Sequence, residues 1–270
     1  MSKFAANLTM LFTELPFLER FAAAREAGFA AVEFLFPYEW PAAELGRRLR
    51  EQGLSQALFN MPPGNWGAGE RGMAAIPGRE AEFRAHLPCV RDYALALGCT
   101  KVHAMSGIVD PAHTLVAHRQ TVIDNIRFAA DFLAKDGIRV LLEPLNDRDV
   151  PGYFLAHQLD ALALVQEIDR PNVGVQLDLY HAQIMDGDLT RLIGKLGQAI
   201  GHVQRDFQKA GHRTGAQGPK AGDGKSGARA ERGDHRASHR KGSSVRPGEA
   251  QRGPRGVRST RTRLYTSLSS

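Results

Sequence analysis

The stretch RVLLEPLN, residues 139–146, is a short apolar run that ends in an acid and a proline. A run of this kind between segments of helical periodicity indicates a buried strand. Similar runs recur along the chain and predict seven strands, at residues 4–8, 31–35, 55–59, 101–105, 139–143, 173–178 and 200–204. Helical periodicity between them predicts six helices, at residues 16–27, 41–52, 79–97, 114–135, 155–167 and 189–196.

Strict alternation of strand and helix favours a parallel sheet in an α/β fold. Seven such strands predict a (β/α)8 TIM barrel over residues 1–204 that is incomplete, because its last unit is missing. A doubly wound sheet is the competing fold, and it would carry a glycine-rich phosphate turn after the first strand. Residues 7–13 contain no glycine, so the barrel is preferred.

The periodicity stops after Gln204. Residues 205–270 hold sixteen Lys and Arg, five Asp and Glu, eleven Gly and six large apolar residues. A segment of this composition buries too little apolar surface to offset its chain entropy. We therefore predict two regions, a truncated barrel at 1–204 and a disordered basic tail at 205–270.

The positive charge of the chain comes from this tail. The whole chain has a net charge of +6, whereas residues 1–204 hold nineteen basic and twenty-four acidic residues. Nucleic-acid binding is therefore not predicted from the overall charge. A basic tail that binds RNA is the alternative, but it has too few aromatic residues for base stacking.

The two cysteines, Cys89 and Cys99, form no CxxC pair, which indicates a reducing compartment and no structural zinc. Both are predicted to be buried small hydrophobes. The chain shows no signal peptide and no apolar run of the roughly 20 residues that a membrane helix needs. We expect a cytoplasmic protein.

Three consecutive predicted strands end in an oxygen donor, namely Glu143, Asp178 and Gln204. The carboxyl ends of the strands of a parallel barrel converge on one face, where ligands bind. Carboxylate and amide oxygens suit Mg²⁺ or Mn²⁺. Each residue alone is equally explained as a helix cap, but the repetition favours a metal site.

Further candidates lie beside these strand ends. His181, three residues after Asp178, is predicted to orient a ligand or bind substrate, or to be an ordinary loop histidine. Other candidates for substrate contact fall at or just beyond strand ends: Asn7, Glu33, Asn60 and His103. Arg71, in a long loop at 60–78, is predicted to clamp a substrate carboxylate, with a solvated arginine as the alternative.

Several motifs resemble the hydroxypyruvate isomerase family, within the xylose-isomerase-like barrels. They are FAANL (4–8), VEFLFPY (32–38), AGERG (68–72), IPGRE (76–80), LEPLN (142–146), QLDLYH (176–181) and GHVQ (201–204). The resemblance covers residues 4–204 nearly continuously. The N-terminal third looks closest to the branch of 2-oxo-tetronate isomerases.

This resemblance implies a divalent metal held by a Glu, an Asp, a Gln and a second Glu, with the two glutamates passing a proton between adjacent carbons of a small α-hydroxycarbonyl acid. The first three positions match Glu143, Asp178 and Gln204. The family's later His-Glu-Pro and Cys-Glu-Tyr motifs, and with them the second glutamate, have no counterpart. The resemblance therefore implies an isomerase of hydroxypyruvate or 2-oxo-tetronate whose activity is impaired in this chain.

The alternative is an inactive barrel fragment or a basic-tailed binding protein. A small carboxylate substrate is the expected partner, and the sequence leaves the oligomeric state open. The composition of the tail, rich in Arg, Gly, Ala, Ser and Pro, is typical of GC-rich codons read out of frame. We interpret it as the product of a frameshift immediately after Gln204, with a genuine alternative C-terminus as the other explanation.

Overall fold

The structure, a computed structural model, describes residues 3–205 and 266–269. These residues belong to one compact unit. The prediction of disorder for residues 206–265 lies outside the described residues.

The described strands match the predicted ones, with the third divided in two. They are β1 (Lys3–Asn7), β2 (Ala31–Glu33), β3 (Ser55–Gln56), β4 (Phe59–Asn60), β5 (Lys101–His103), β6 (Arg139–Leu142), β7 (Val173–Asp178), β8 (Ile200–Arg205) and β9 (Thr266–Ser269). The last of these is an addition to the prediction.

The described helices are α1 (Arg20–Glu26), α2 (Ala42–Gln52), α3 (Glu80–Ala85), α4 (Leu87–Leu97), α5 (Leu115–Leu133), α6 (Gln158–Ile168), α7 (Leu179–Met185) and α8 (Leu189–Leu196). The helix predicted at 79–97 is divided at His86, because Pro88 at the start of α4 lacks the amide that would continue the first helix. The short helix α7 was not predicted. It directly follows β7 and is capped by Asp178, whose Oδ1 accepts from Tyr180 N at 2.7 Å.

The strands form one sheet in the order β3-β2-β1-β9-β8-β7-β6-β5-β4. All pairs are parallel except those made by β9. Residues 57–58 connect β3 to β4, and the backbone there bonds to both ends of the sheet: Ala57 N donates to Val32 O and Met61 N to His103 O, each at 2.8 Å. The sheet therefore closes into a ring, and the predicted TIM barrel is confirmed.

Strand β9 lies antiparallel between β1 and β8. Leu268 is the register partner of both Phe4 and Val203. The prediction of a wholly disordered tail is therefore wrong for residues 266–269. Without β9, the facing edges of β1 and β8 would have unpaired backbone N–H and C=O groups. A strand can pair with such edges through its backbone, without an apolar face of its own.

The helices pack their apolar faces against the outside of the barrel. On α4, the buried residues Leu87, Val90, Ala94 and Leu97 recur at helical spacing, whereas Cys89 lies off that face and is exposed. The prediction of burial is thus wrong for Cys89 and confirmed for Cys99. Among the described residues, none of the helices is long and apolar enough to cross a membrane.

Candidate active site

A cavity of about 230 Å³ lies at the carboxyl ends of the strands. It is lined by Asn7, Met10, Glu33, Leu35, Asn60, Trp66, His103, Met105, Glu143, Leu145, Val150, Asp178, His181, Gln204 and Arg205. Eight of the nine candidate residues named from the sequence are in this set, and Arg71 is not. The parallel strands bring these residues together because each polar side chain occupies the end of its own strand.

Glu143, Asp178 and His181 form a group of potential metal-ligating side chains in the cavity. Their ligand atoms all lie within 4.8 Å of one another. Glu143 follows β6, Asp178 ends β7, and His181 lies in the first turn of α7. Both carboxylates are buried, and burial raises the pKa of Asp178. A cation between them would offset this cost of placing charge in a dry site.

The hydrogen bonds of His181 assign its tautomer. Its Nδ1 lies 3.1 Å from the backbone N of Asn146 and 2.6 Å from Asn146 Nδ2, both of which are donors. Asn146 Oδ1 accepts from Arg148 N and Asp149 N, which sets the orientation of that amide. Nδ1 of His181 is therefore an acceptor, and the proton of the neutral ring is on Nε2.

The protonated Nε2 of His181 lies 4.0 Å from Asp178 Oδ2. Burial lowers the pKa of His181, so the ring is neutral at pH 7. A ring nitrogen that carries a proton cannot ligate a metal, so in this arrangement His181 is a hydrogen-bond donor next to the two carboxylates. The role of His181 in orienting a ligand or contacting substrate stays a prediction.

His103 lies directly against Glu143. Its Nδ1 is 3.3 Å from Glu143 Oε2, and the side chain is 1% exposed. Burial, together with the neighbouring His181 and His202 rings, lowers the pKa of His103 to about 3. The ring is therefore neutral, and its contact with Glu143 is a packing contact between a polar ring and a carboxylate rather than an ion pair.

Glu33 is the centre of a second polar network. Its Oε1 accepts from Gln204 Nε2 at 2.9 Å and from Asn7 Nδ2 at 3.3 Å. Its Oε2 lies 3.0 Å from His202 Nε2. Gln204 Oε1 accepts in turn from Gln176 Nε2 at 2.8 Å. The network holds the amide of Gln204 in one orientation and leaves its oxygen one further lone pair.

Arg71 lies at the rim, outside the residues that line the cavity. Its guanidinium carbon is 3.8 Å from the centroid of the Trp66 ring, and its Nη1 donates to the carbonyls of Trp66 and Glu70. Trp66 itself lines the cavity and packs against Phe36. Arg71 thus supports the cavity wall through Trp66, and its contact with a substrate stays a prediction.

The sequence analysis missed the apolar wall and the role of His202. Residues that form the wall include Leu35, Trp66, Met105, Leu145 and Val150. They follow the strands in the chain, and an apolar residue at such a position does not by itself indicate a binding site. His202, by contrast, precedes Gln204 by two residues, and strand alternation alone places both side chains on one face.

Comparisons with known proteins identify the family of this chain. The family model for the xylose isomerase-like TIM barrel matches residues 21–218. Over 204 residues the chain is 52% identical to a 2-oxo-tetronate isomerase of Pectobacterium atrosepticum, covering 76% of this chain and 78% of that protein. It is 42% identical over 204 residues to a hydroxypyruvate isomerase of Escherichia coli, covering 76% of this chain and 79% of that protein.

A solved structure shares the same fold. The crystal structure of a protein from Brucella melitensis, described as an AP endonuclease of family 2, superimposes with a TM-score of 0.75 and is 60% identical in sequence. The match covers 76% of this chain and 80% of that chain. The chain therefore belongs to the hydroxypyruvate isomerase family of xylose isomerase-like TIM barrels and is an isomerase by that membership.

Proposed function

We propose that this site acts on a small α-hydroxycarbonyl acid, hydroxypyruvate or 2-oxo-tetronate, and interconverts it with its isomer with the help of Mg²⁺ or Mn²⁺. The observation that carries the proposal is the convergence of Glu143, Asp178 and His181 within 4.8 Å in a cavity at the carboxyl ends of the strands. Relatives named for both substrates support the reaction class.

The donor set suits a hard divalent cation. Glu143 and Asp178 supply carboxylate oxygens, and Gln204 supplies an amide oxygen that its hydrogen bonds to Glu33 and Gln176 hold in place. These three residues would hold the ion, with His181 donating a hydrogen bond beside it. When bound, the cation supplies polarisation of the substrate carbonyl and stabilisation of the charge that develops on its oxygen.

Glu143 is the residue that moves the proton. It lines the cavity and lies against the neutral ring of His103, so its carboxylate faces the space in which a substrate would bind. The position of Asp178 at the N-cap of α7 suits it to holding charge rather than to transferring protons, because its Oδ1 accepts a hydrogen bond from Tyr180 N.

Proton return on the opposite face of the substrate needs a second carboxylate. Among the described residues, the remaining carboxylate that lines the cavity is Glu33, whose two oxygens are engaged by Gln204, Asn7 and His202. Glu33 is therefore poorly suited to proton transfer. We infer that turnover by this chain is impaired, while the cation site is retained.

The test measures cation binding and turnover separately on the purified full chain. Isothermal titration with Mn²⁺ should show binding that Asp178→Asn weakens and that the exposed control Asp147→Asn leaves unchanged. Isomerisation of hydroxypyruvate and 2-oxo-tetronate should depend on Mn²⁺ and be abolished by Glu143→Gln. Binding without any turnover would favour the inactive-fragment alternative, and absence of both would refute the proposed site.

A further inference from the structure

The interior of the barrel continues below the catalytic cavity. Alternate residues of a strand point to the same face, and register partners on neighbouring strands share that face. His103 and Glu143 line the cavity, and His103 is the register partner of Leu141. Lys101, two residues before His103, and its own partner Arg139 therefore also point into the barrel, toward its N-terminal end.

The guanidinium of Arg139 lies inside the barrel, across two neighbouring strands. A β-carbon at Gly174 of β7 would lie 2.9 Å from Arg139 Nη2, and one at Gly201 of β8 would lie 3.5 Å from Arg139 Cζ. The absence of a side chain at these two glycines leaves the space that the guanidinium fills. Leu141, which is fully buried, lies between this layer and the catalytic layer above it.

Two neighbouring cationic side chains thus lie in the interior, and each has a buried nitrogen without a hydrogen-bond partner. Lys101 is 8% exposed, and its Nζ is buried and unpaired. Nε of Arg139 is buried and unpaired as well. Among the side chains that the structure describes, no carboxylate is within ion-pair distance of either residue. A TIM barrel usually fills this layer with branched apolar residues, so two cations here need an explanation.

Burial of like charges beside each other is costly. Burial lowers the pKa of Lys101, and the neighbouring Arg139 lowers it further. An arginine stays charged in proteins, so deprotonation does not remove the positive charge from this layer. A buried charge is tolerated when it is paired and hydrogen-bonded, which indicates a negatively charged partner.

We infer that Lys101 and Arg139 form a binding site for a small oxyanion at the N-terminal end of the barrel interior, separate from the catalytic cavity. The planar guanidinium matches two oxygens of a phosphate or carboxylate, and the ammonium adds a compact charge with three donors. An anion bound there stabilises the folded state, because it compensates both cations. Arg139 is half-buried, so solvent reaches part of its side chain.

The test uses inorganic phosphate as the probe on the full chain. Thermal unfolding in sodium phosphate, against sodium chloride at the same ionic strength, should show a rise in Tm that saturates with concentration, and isothermal titration should show matching binding. Lys101→Met should weaken that binding at least tenfold. Lys195→Met, which removes an exposed lysine of α8, is the matched control and should bind as the unchanged chain does.

Further variants locate the anion. Arg139→Lys keeps the charge but loses the planar fork, so it should weaken phosphate binding even if Lys101→Met fails to fold. Competition by acetate would extend the site to carboxylates, whereas phosphate binding that acetate does not affect would restrict it to phosphate-like anions. The inference is overturned if the unchanged chain shows no saturable effect, if both variants bind like Lys195→Met, or if Asp178→Asn alone abolishes binding.

Discussion

Gln204 Nε2 donates to Glu33 Oε1 at 2.9 Å and so joins the end of β8 to the end of β2. The two residues are 171 positions apart in the chain. Gln204 is a candidate cation ligand, and Glu33 sets the orientation of its amide. The last residue that matches the family motif therefore depends on the second strand for its geometry.

Replacement of Glu33 by glutamine should destabilise the barrel. The new amide group would place a donor against His202 Nε2 or against Gln204 Nε2, where the carboxylate now accepts from both. One buried polar group left unsatisfied lowers the free energy of unfolding by about 1–3 kcal/mol. Urea unfolding measures this loss of free energy. The control is Glu26→Gln, at an exposed position at the end of α1. Its free energy of unfolding should stay within about 0.5 kcal/mol of that of the unchanged chain. Equal free energies of unfolding for the two variants would show that the Glu33 network does not stabilise the barrel.

Strand β9 should contribute to the stability of the barrel. Leu268→Pro removes a backbone N–H from a residue that pairs with both β1 and β8, which costs about 1–3 kcal/mol and several degrees of Tm. It also exposes strand edges, so aggregation should increase. Leu268→Ala keeps the N–H and is the control. If calorimetry gives the same Tm for both variants, the backbone pairing of β9 is not stabilising.

Another reading frame of the gene, starting near codon 204, should encode the missing end of the barrel with His-Glu-Pro and Cys-Glu-Tyr motifs. The loss of periodicity after Gln204 motivates this hypothesis. The matched segment covers 78% of the Pectobacterium relative, so part of that protein has no counterpart in the match. Nucleotide sequencing through this region is the measurement. If neither alternative frame contains the two motifs, the frameshift interpretation is wrong.

A protein with the barrel end restored should depend strongly on Glu143. Glu143→Gln should lower kcat at least about 10²-fold, as expected when a general base is removed. Asp147→Asn, an exposed position in the following loop, is the matched control and should leave kcat unchanged. Steady-state kinetics with Mn²⁺ on both substrates measures the effect, and near-normal turnover by the Glu143→Gln protein would exclude Glu143 as the base.

Local sequence was sufficient to locate the strand ends of this barrel. Short apolar runs that end in Glu143, Asp178 and Gln204 predicted both the strands and the face on which their side chains meet, because parallel strands place their carboxyl ends together. Because side chains two residues apart in a strand point to the same face, the sequence also places His202 on the same face as Gln204. These features follow from the local periodicity of the sequence and from the fold class that this periodicity predicts.

Contacts between distant parts of the chain were decided by the tertiary structure alone. The tautomer of His181 depends on Asn146, which is 35 positions away, and Glu33 acquires its role from side chains of β1 and β8. Arg71 stacks on Trp66, which lines the cavity. The pairing of residues 266–269 follows from open strand edges elsewhere in the barrel and not from any pattern of their own. Side-chain hydrogen bonds and strand partners are set by which groups meet in space, and no local period encodes that.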